Sequence, residues 1–217
     1  MKIKYVIYVF CLLAIGYLSY HYPLFAFALL ALLAGVLLYM VVSGTVWFLK
    51  KGLTWKRFQV PLVMVGTILF GLAVGLLSPL PEPIGHSGNT GEDLEQAYIT
   101  DQGDRMNIRF FVPHYKQQMQ KRDSIRLEKV REYLEMGKVD KPIDKFHAAF
   151  ILHHNRMRDS SLYELAYNLA KQAAAAPNLA ANYQAQWLAK ATYDRWMLSI
   201  GKPQKFGTQG GVSFTLE

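Results

Sequence analysis

Three long apolar stretches occupy the first 80 residues of the chain. They run over residues 3–20, 24–49 and 60–80, and Lys4 is the only charged residue within them. A helix needs about 20 apolar residues to cross the hydrocarbon core of a bilayer. The second and third stretches meet that length and the first is slightly short. Residues 1–80 are therefore predicted to form a membrane anchor of three helices.

The first stretch has a second interpretation, as a secretory signal peptide. Lys2 and Lys4 precede it, as basic residues precede the apolar region of such peptides. No small-x-small cleavage site follows, however, and the next apolar stretch begins four residues later. We therefore expect the first stretch to remain in the protein as a signal anchor.

Positive charges predict the orientation of this anchor. Four of them lie between the second and third stretches: Lys50, Lys51, Lys56 and Arg57. The turn at residues 21–23 has no Lys or Arg, and none follows the third stretch before Arg105. Cytoplasmic loops are enriched in these residues. We therefore expect a cytoplasmic (inner) membrane protein with its N-terminus inside and its C-terminal domain outside, in the periplasm or the extracellular space.

The chain after residue 80 has the pattern of a helical domain. Prolines and glycines predict a linker over residues 81–91. Residues 92–217 show helical periodicity and no convincing strand. The predicted fold class is all-α, with three transmembrane helices followed by a compact α-helical extracytoplasmic domain.

Individual helices of this domain can also be predicted. Mixed charges over residues 114–136 predict a largely solvated helix, and Pro142 suits the first turn of the next one. Ser161 and Glu164 have the spacing of a capping box at a helix start. The last helix is predicted over residues 183–200.

Composition narrows the function classes. The net charge is +8, but 18 of the 24 Lys and Arg and all 16 acidic residues follow residue 57, which leaves the outer part at only +2. The basic balance therefore reflects membrane topology, and no nucleic-acid partner is predicted. The predicted spans have no ionisable group near their centres, which favours an anchor over a transporter.

Four glycines suit close helix packing: Gly35, Gly66, Gly71 and Gly75.

Metal and nucleophile motifs are missing from the sequence. His147 and His154 are about 10 Å apart along a helix and cannot ligate one metal as neighbours. The chain has neither an HExxH motif nor a Cys cluster, since Cys11 is its only cysteine, and no G-x-S-x-G element. No metal site is predicted, and no motif identifies a cofactor.

Asp194 and Arg195 lie near the end of the last predicted helix, beside its apolar face, and have two interpretations. A structural one is a buried ion pair that fixes the C-terminal loop. A functional one is an acid and a cation that line a pocket. The sequence leaves both open.

Short motifs over residues 99–209 resemble a bacterial family of domains of unknown function. The family shares D-Q-x-x-R, a Q-H pair, a D-R pair and a closing G-[KR]-P-Q-x-[FY]-G-T-Q. In this chain His154 occupies the family's His position, and His153 stands where the family has Gln. The other motif positions are Asp101, Gln102, Arg105, Asp194, Arg195 and residues 201–209. The resemblance implies a shared helical fold but no reaction or ligand.

These motifs give the candidate site. We expect the C-terminal loop to fold back so that His154, Asp194, Arg195 and Gln209 converge. His154 and Asp194 are the candidate catalytic residues, with His154 as general base. The candidate ligand-binding residues are Arg195, Gln204, Gln209, Asp101, Gln102 and Arg105. The competing structural hypothesis is that the loop only fixes the C-terminal end of the fold.

Two functions remain open from the sequence. One is a membrane-anchored extracytoplasmic binding or scaffold module, whose partners are the membrane and an envelope protein. The other is a membrane-anchored envelope hydrolase that uses His154 and Asp194. The hydrolase requires these two side chains within hydrogen-bonding distance in an open cleft.

Overall fold

A computed structural model describes residues 2–50, 56–154 and 159–210 of the protein. These residues are helical and contain no β-strand. Lys51, one of the four loop charges, lies outside the described residues. The described part contains eight α-helices and one 3-10 helix: α1 Lys2–His21, α2 Phe25–Lys50, α3 Lys56–Leu77, α4 Thr90–Arg105, the 3-10 helix Ile108–Phe111, α5 Pro113–Glu135, α6 Pro142–His153, α7 Ser160–Ala175 and α8 Tyr183–Ser199.

The chain divides into two structural units. The N-terminal unit comprises residues 1–80 together with 106–112, and the C-terminal unit comprises 81–105 together with 113–217. The sequence pattern indicated the boundary near residue 80. It did not indicate that residues 106–112 belong with α1–α3.

Two helices of the N-terminal unit are long and apolar enough to cross a membrane. These are α2 over Phe25–Leu49 and α3 over Lys56–Leu77. The apolar part of α1, Tyr5–His21, is shorter than that length. The second and third predicted stretches are therefore helices that are long and apolar enough to span a membrane, although α3 begins at Lys56 and ends at Leu77 instead of covering residues 60–80.

Small residues allow α1 and α3 to approach closely. A Cβ atom added at Gly71 of α3 would lie 2.7 Å from Ile15 Cγ2 and 2.8 Å from Leu29 Cδ1. At Gly35 and Gly66, by contrast, no described atom lies within 4 Å of such a Cβ. Of these glycines, Gly71 is therefore the one at which a side chain would clash.

We expect Gly71→Val to destabilise the N-terminal unit by about 1–3 kcal/mol, because overpacking a tight contact costs that much. Unfolding of the full chain in detergent, followed by circular dichroism, measures the effect. Gly66→Val is the matched control, since it places the same side chain on the same helix in open space. An equal loss in both variants would show that close packing at Gly71 is not the cause.

Helix α6 lies at the centre of the C-terminal unit. It packs against α4, α5, α7 and α8, and most of its side chains are buried. It begins at Pro142, as predicted. Its C-terminal cap is His154, which places this side chain at the end of the central helix.

Two local predictions for the C-terminal unit need correction. About half of the residues of α5 are exposed, but one face of the helix buries apolar residues together with Arg122, Asp123 and Arg126, which the prediction of a largely solvated helix did not include. The predicted capping box at Ser161 is replaced by an Asp159 cap, whose carboxylate accepts a hydrogen bond from Ser161 N at 2.9 Å. The helix therefore begins at Ser160, earlier than a Ser161 cap would place it, and the Asp159 carboxylate accepts from the first turn.

Candidate functional site

A cluster of buried charges joins α4 to α5. Helix α4 contributes Asp101, Asp104 and Arg105, which share one helical face because they are three and four residues apart. Helix α5 contributes Arg122, Asp123 and Arg126. These six residues, three acids and three bases, form what we call the buried charge cluster, and their charges balance.

Arg126 lies at the centre of the buried charge cluster and is fully buried. It donates to Asp123 Oδ1 at 3.1 Å and makes a close ion pair with Asp104. Its Nε donates to Pro83 O and Thr100 Oγ1, both at 3.1 Å. A buried guanidinium with this many partners avoids the cost of an uncompensated charge.

Asp101 connects this cluster to His154. The Asp101 carboxylate is almost completely buried and lies 2.8 Å from His154 Nδ1 and 2.6 Å from Arg105 Nη1. Gln102 Nε2 also donates to it at 2.8 Å. Burial opposes ionisation of Asp101, but His154, Arg105 and Arg126 outweigh burial and hold its pKa below the usual value.

His154 is a neutral imidazole next to an ionised carboxylate at neutral pH. Burial lowers the pKa of His154, although Asp101 opposes this effect. With Asp101 as acceptor, we assign the proton to Nδ1, so that Nε2 has the lone pair. A carboxylate fixes the tautomer of a general-base histidine in this way.

The His154 ring forms part of the wall of an open cleft of about 390 Å³. The cleft is lined by Gln102, Phe150, His154, Tyr183, Gln184 and Trp187. Phe150 contacts both His154 and Trp187, with ring centroids 5.6 Å and 6.4 Å apart. We call this feature the aromatic cleft. None of the lining residues named is charged when His154 is neutral.

The C-terminal loop, residues 201–210, folds back onto α8 around Asp194. The fully buried carboxylate accepts from the backbone N–H groups of Lys205, Phe206 and Thr208 at 2.8–3.2 Å. Thr208 Oγ1 donates to it at 2.8 Å. Burial opposes ionisation, but these hydrogen bonds hold the pKa of Asp194 below its usual value. The carboxylate therefore serves to fix the loop.

Other positions of the G-K-P-Q-K-F-G-T-Q motif also have structural roles. Gly201 and Gly207 adopt positive φ angles of 72° and 69°, which glycine tolerates best. Gln204 Oε1 accepts from Gln209 N at 2.8 Å. Gln209 Nε2 donates to Ala191 O at 3.1 Å. The motif thus encodes a docked loop.

Arg195 does not pair with Asp194. It donates from Nε to Gln209 Oε1 at 2.9 Å and from Nη1 to His153 O at 2.7 Å. The guanidinium therefore links the C-terminal loop to the end of α6. This arrangement agrees with the structural interpretation of the C-terminal motif, although it replaces the expected ion pair with a side-chain amide and a carbonyl.

The predicted site residues thus fall into two groups. His154, Gln102 and Arg105 all contact the Asp101 carboxylate, and of these four residues Gln102 and His154 line the aromatic cleft. Asp194 and Arg195 of α8 instead hold the docked loop, and Gln204 and Gln209 of that loop also bind protein groups. The pairing of His154 with Asp194 is corrected, because Asp101 takes the place beside His154 and the loop N–H groups occupy the Asp194 carboxylate.

Sequence reasoning missed the aromatic members of the cleft. The buried face of α8 is formed by Ala185, Leu188 and Ala191, whereas Trp187 is partly exposed. Tyr183 begins the same helix and is 79% exposed. Aromatic residues four apart at a helix start were the available signal, since they share one face.

His153 gives a pH-dependent prediction. Burial, with Arg195 and His154 nearby, holds its pKa well below 6.5, and its Nδ1 has no hydrogen-bond partner among the described residues. The folded protein therefore binds fewer protons than the unfolded chain below about pH 6.5, so this contribution to stability is present above that pH and lost as the pH falls.

We expect the free energy of unfolding to fall between pH 7 and pH 5, and to fall less in His153→Gln, since Gln does not titrate. Chemical denaturation across this range measures the slope. The exposed His86 provides the control variant His86→Gln, which is expected to keep the slope of the original protein. An unchanged slope in His153→Gln would contradict the assignment.

Within the described residues, no three His, Cys, Asp or Glu side chains are placed to hold a metal ion. The side chains at the aromatic cleft include the imidazole of His154, which Asp101 contacts, two side-chain amides and aromatic rings.

No family model matches this chain, and no curated protein and no solved structure matches it either. The resemblance to the domain family with the closing G-T-Q motif therefore stays a prediction.

Proposed function

We propose that the protein is a membrane-anchored extracytoplasmic binding module, with α1, α2 and α3 as three spans and the N-terminus in the cytoplasm. The exposure of α2 and α3 supports membrane insertion. Only 17% of the most apolar window of α2 and 22% of that of α3 are buried inside the protein. Apolar surface of this extent is not left in contact with water by soluble monomers. The charged residues Lys56 and Arg57 at the start of α3 support the orientation.

The ligand site of this module is the aromatic cleft. Its single most informative feature is that exposed aromatic faces lie beside side-chain amides and a neutral imidazole. Gln102 and Gln184 can each donate and accept hydrogen bonds. Tyr183 and Trp187 offer flat apolar faces with little conformational entropy to lose. This combination suits a neutral ligand with hydroxyl and amide groups, such as an oligosaccharide with N-acetyl groups.

Chitotriose, which has both groups, is the probe that tests this ligand class. We expect isothermal titration calorimetry of the full chain in nanodiscs to show binding, and Trp187→Ala to weaken it at least tenfold, as loss of a central aromatic contact does. Trp196→Ala is the matched control, since Trp196 lies on the same helix but stacks on Tyr167 outside the cleft. Inorganic phosphate should not bind.

Equal loss in the two tryptophan variants would show that the cleft is not the binding site. Binding of phosphate in preference to chitotriose would contradict the neutral ligand class. An envelope protein is the other partner that the sequence predicts, and it would compete with chitotriose if it used the same cleft.

The Asp101–His154 pair supports hydrolysis as a second candidate function. His154 Nε2 could take a proton from water at the cleft while Asp101 stabilises the resulting imidazolium. None of the described residues hydrogen-bonds this nitrogen. Prolonged incubation with chitotriose distinguishes the two functions. Cleavage that disappears in His154→Gln indicates an enzyme, whereas binding without cleavage indicates a binding module.

A further inference from the structure

The segment 106–112 interrupts the C-terminal unit. Helix α4 ends at Arg105 and α5 begins at Pro113, and both belong to the C-terminal unit. The seven residues between them, M-N-I-R-F-F-V, belong instead to the N-terminal unit with α1–α3. We call them the returning segment. A simple α4–α5 connection would not need to leave its own unit.

Ile108 fixes the returning segment to the apolar core of the N-terminal unit. It is buried in the same cluster as Ala26 and Leu29 of α2 and Leu72 of α3. Ala26 and Leu29 are near the start of α2, and Leu72 is near the end of α3. The returning segment therefore lies at the end of the helices that includes the turn between α1 and α2.

Arg109 fixes the segment to the C-terminus of α3. Its guanidinium donates to Leu76 O at 3.0 Å and Gly75 O at 3.2 Å, and it also makes a close contact with Ser78 O. The last carbonyl groups of a helix have no partner within the helix. Arg109 satisfies these carbonyls, so the returning segment lies at the depth at which the third span ends.

Apolar side chains of the same segment point outward. Met106, Phe110, Phe111 and Val112 are all exposed, and Phe111 is 73% exposed. The Phe110 and Phe111 rings meet edge to face with centroids 6.1 Å apart. Leu77, the last residue of α3, is 83% exposed. The outward apolar surface of the returning segment thus continues that of α3 at its end.

We infer that the returning segment is a second, non-spanning membrane attachment that inserts Phe110 and Phe111 into the interfacial region of the outer leaflet. This inference rests on the proposed insertion of α1–α3. Aromatic residues are enriched at that depth of a bilayer, and Tyr20 and Tyr22 are exposed at the turn between α1 and α2. Burying the two Phe side chains in lipid removes a large apolar area from water.

Lipid contact at position 111 can be measured directly on the full chain. Cys11 is the only cysteine, so a Cys11→Ser background accepts Phe111→Cys as a single site for an environment-sensitive fluorescent label. The labelled protein is placed in phosphatidylcholine–phosphatidylglycerol nanodiscs. We expect lipids with a nitroxide near the headgroup to quench most of the emission, and aqueous iodide to quench little.

Two matched sites give the reference values. Leu69→Cys labels the exposed face of α3 and should be quenched by lipid nitroxides. Met136→Cys labels an exposed apolar position of the C-terminal unit and should be quenched by iodide. All three positions are exposed, so none of the substitutions removes a core side chain.

The outcomes separate this inference from the proposal on which it rests. If iodide quenches the label at position 111 as strongly as the label at position 136, the inference is overturned. Lipid quenching at position 69 in the same experiment would still support membrane insertion of α3. Protection of position 111 from both quenchers also overturns the inference, since a protein surface then covers the segment. Absence of lipid quenching at 69 overturns membrane insertion itself.

Discussion

Arg126→Met is expected to unfold much of the C-terminal unit at physiological temperature. The substitution leaves Asp101, Asp104 and Asp123 buried with only Arg105 and Arg122 as counter-charges. Removing one partner from a buried ion network costs about 3–5 kcal/mol. That is a large part of the 5–15 kcal/mol by which a typical domain is stable. Thermal unfolding followed by near-ultraviolet circular dichroism measures the loss.

Two further variants show whether the charge network is the cause. Arg131→Met changes an exposed arginine on the same helix and is expected to alter stability by less than about 0.5 kcal/mol. Arg126→Lys keeps the charge but not the planar set of donors, so its stability should lie between those of the original protein and Arg126→Met. A melting curve of Arg126→Met that coincides with that of Arg131→Met would contradict the buried charge cluster.

Asp194→Ala is expected to release the C-terminal loop. The Asp194 carboxylate is the common acceptor for Lys205, Phe206 and Thr208. Hydrogen bonds to a charged group contribute about 1.5–3 kcal/mol each, so we expect a loss of roughly 3 kcal/mol after the released loop is hydrated. The released backbone should become a substrate for trypsin at Lys205.

Limited trypsin digestion followed by mass spectrometry tests this result. Asp140→Ala, at an exposed acid, is the control and should leave the bond after Lys205 protected. Because the pKa of Asp194 is lowered in the fold, its contribution is present above the unfolded value near 3.9 and lost as the pH falls below it. Equal cleavage rates in the original protein and Asp194→Ala would contradict a structural role for this carboxylate.

Periodicity and apolar length predicted much of the helical organisation. Helix α2 matches its apolar stretch to within a residue, α3 overlaps residues 60–80 but begins at Lys56, and α6 begins at Pro142. These features are local, since they depend on the spacing of apolar residues and on the fixed φ angle of proline. The sequence also predicted that the C-terminal loop folds back, because its glycines and amides indicate a turn, but not that it binds Asp194 instead of bringing Asp194 to His154.

The candidate site was predicted less well than the helices, because it depends on contacts between residues that are distant in the sequence. Asp101 and His154 are 53 positions apart, and only the packing of α4 on α6 brings them together. The sequence also does not show whether an arginine such as Arg126 is buried in ion pairs or exposed to water, because its hydropathy value is the same in both cases. The charged residues of α5 were therefore predicted to be solvated. The sequence did not predict that the returning segment belongs to the N-terminal unit. That placement depends on contacts of Ile108 and Arg109 with α2 and α3, which are distant in the sequence.

Membrane topology is the central claim of the account, because it places the aromatic cleft outside the cytoplasm. Alkaline phosphatase fused after Glu217 tests it in a bacterial host, since this reporter needs disulfides that form only outside the cytoplasm. We predict an active phosphatase there and an inactive one when it is inserted in the 50–57 loop. An inactive C-terminal phosphatase together with a fluorescent cytoplasmic reporter at the same position would contradict the account.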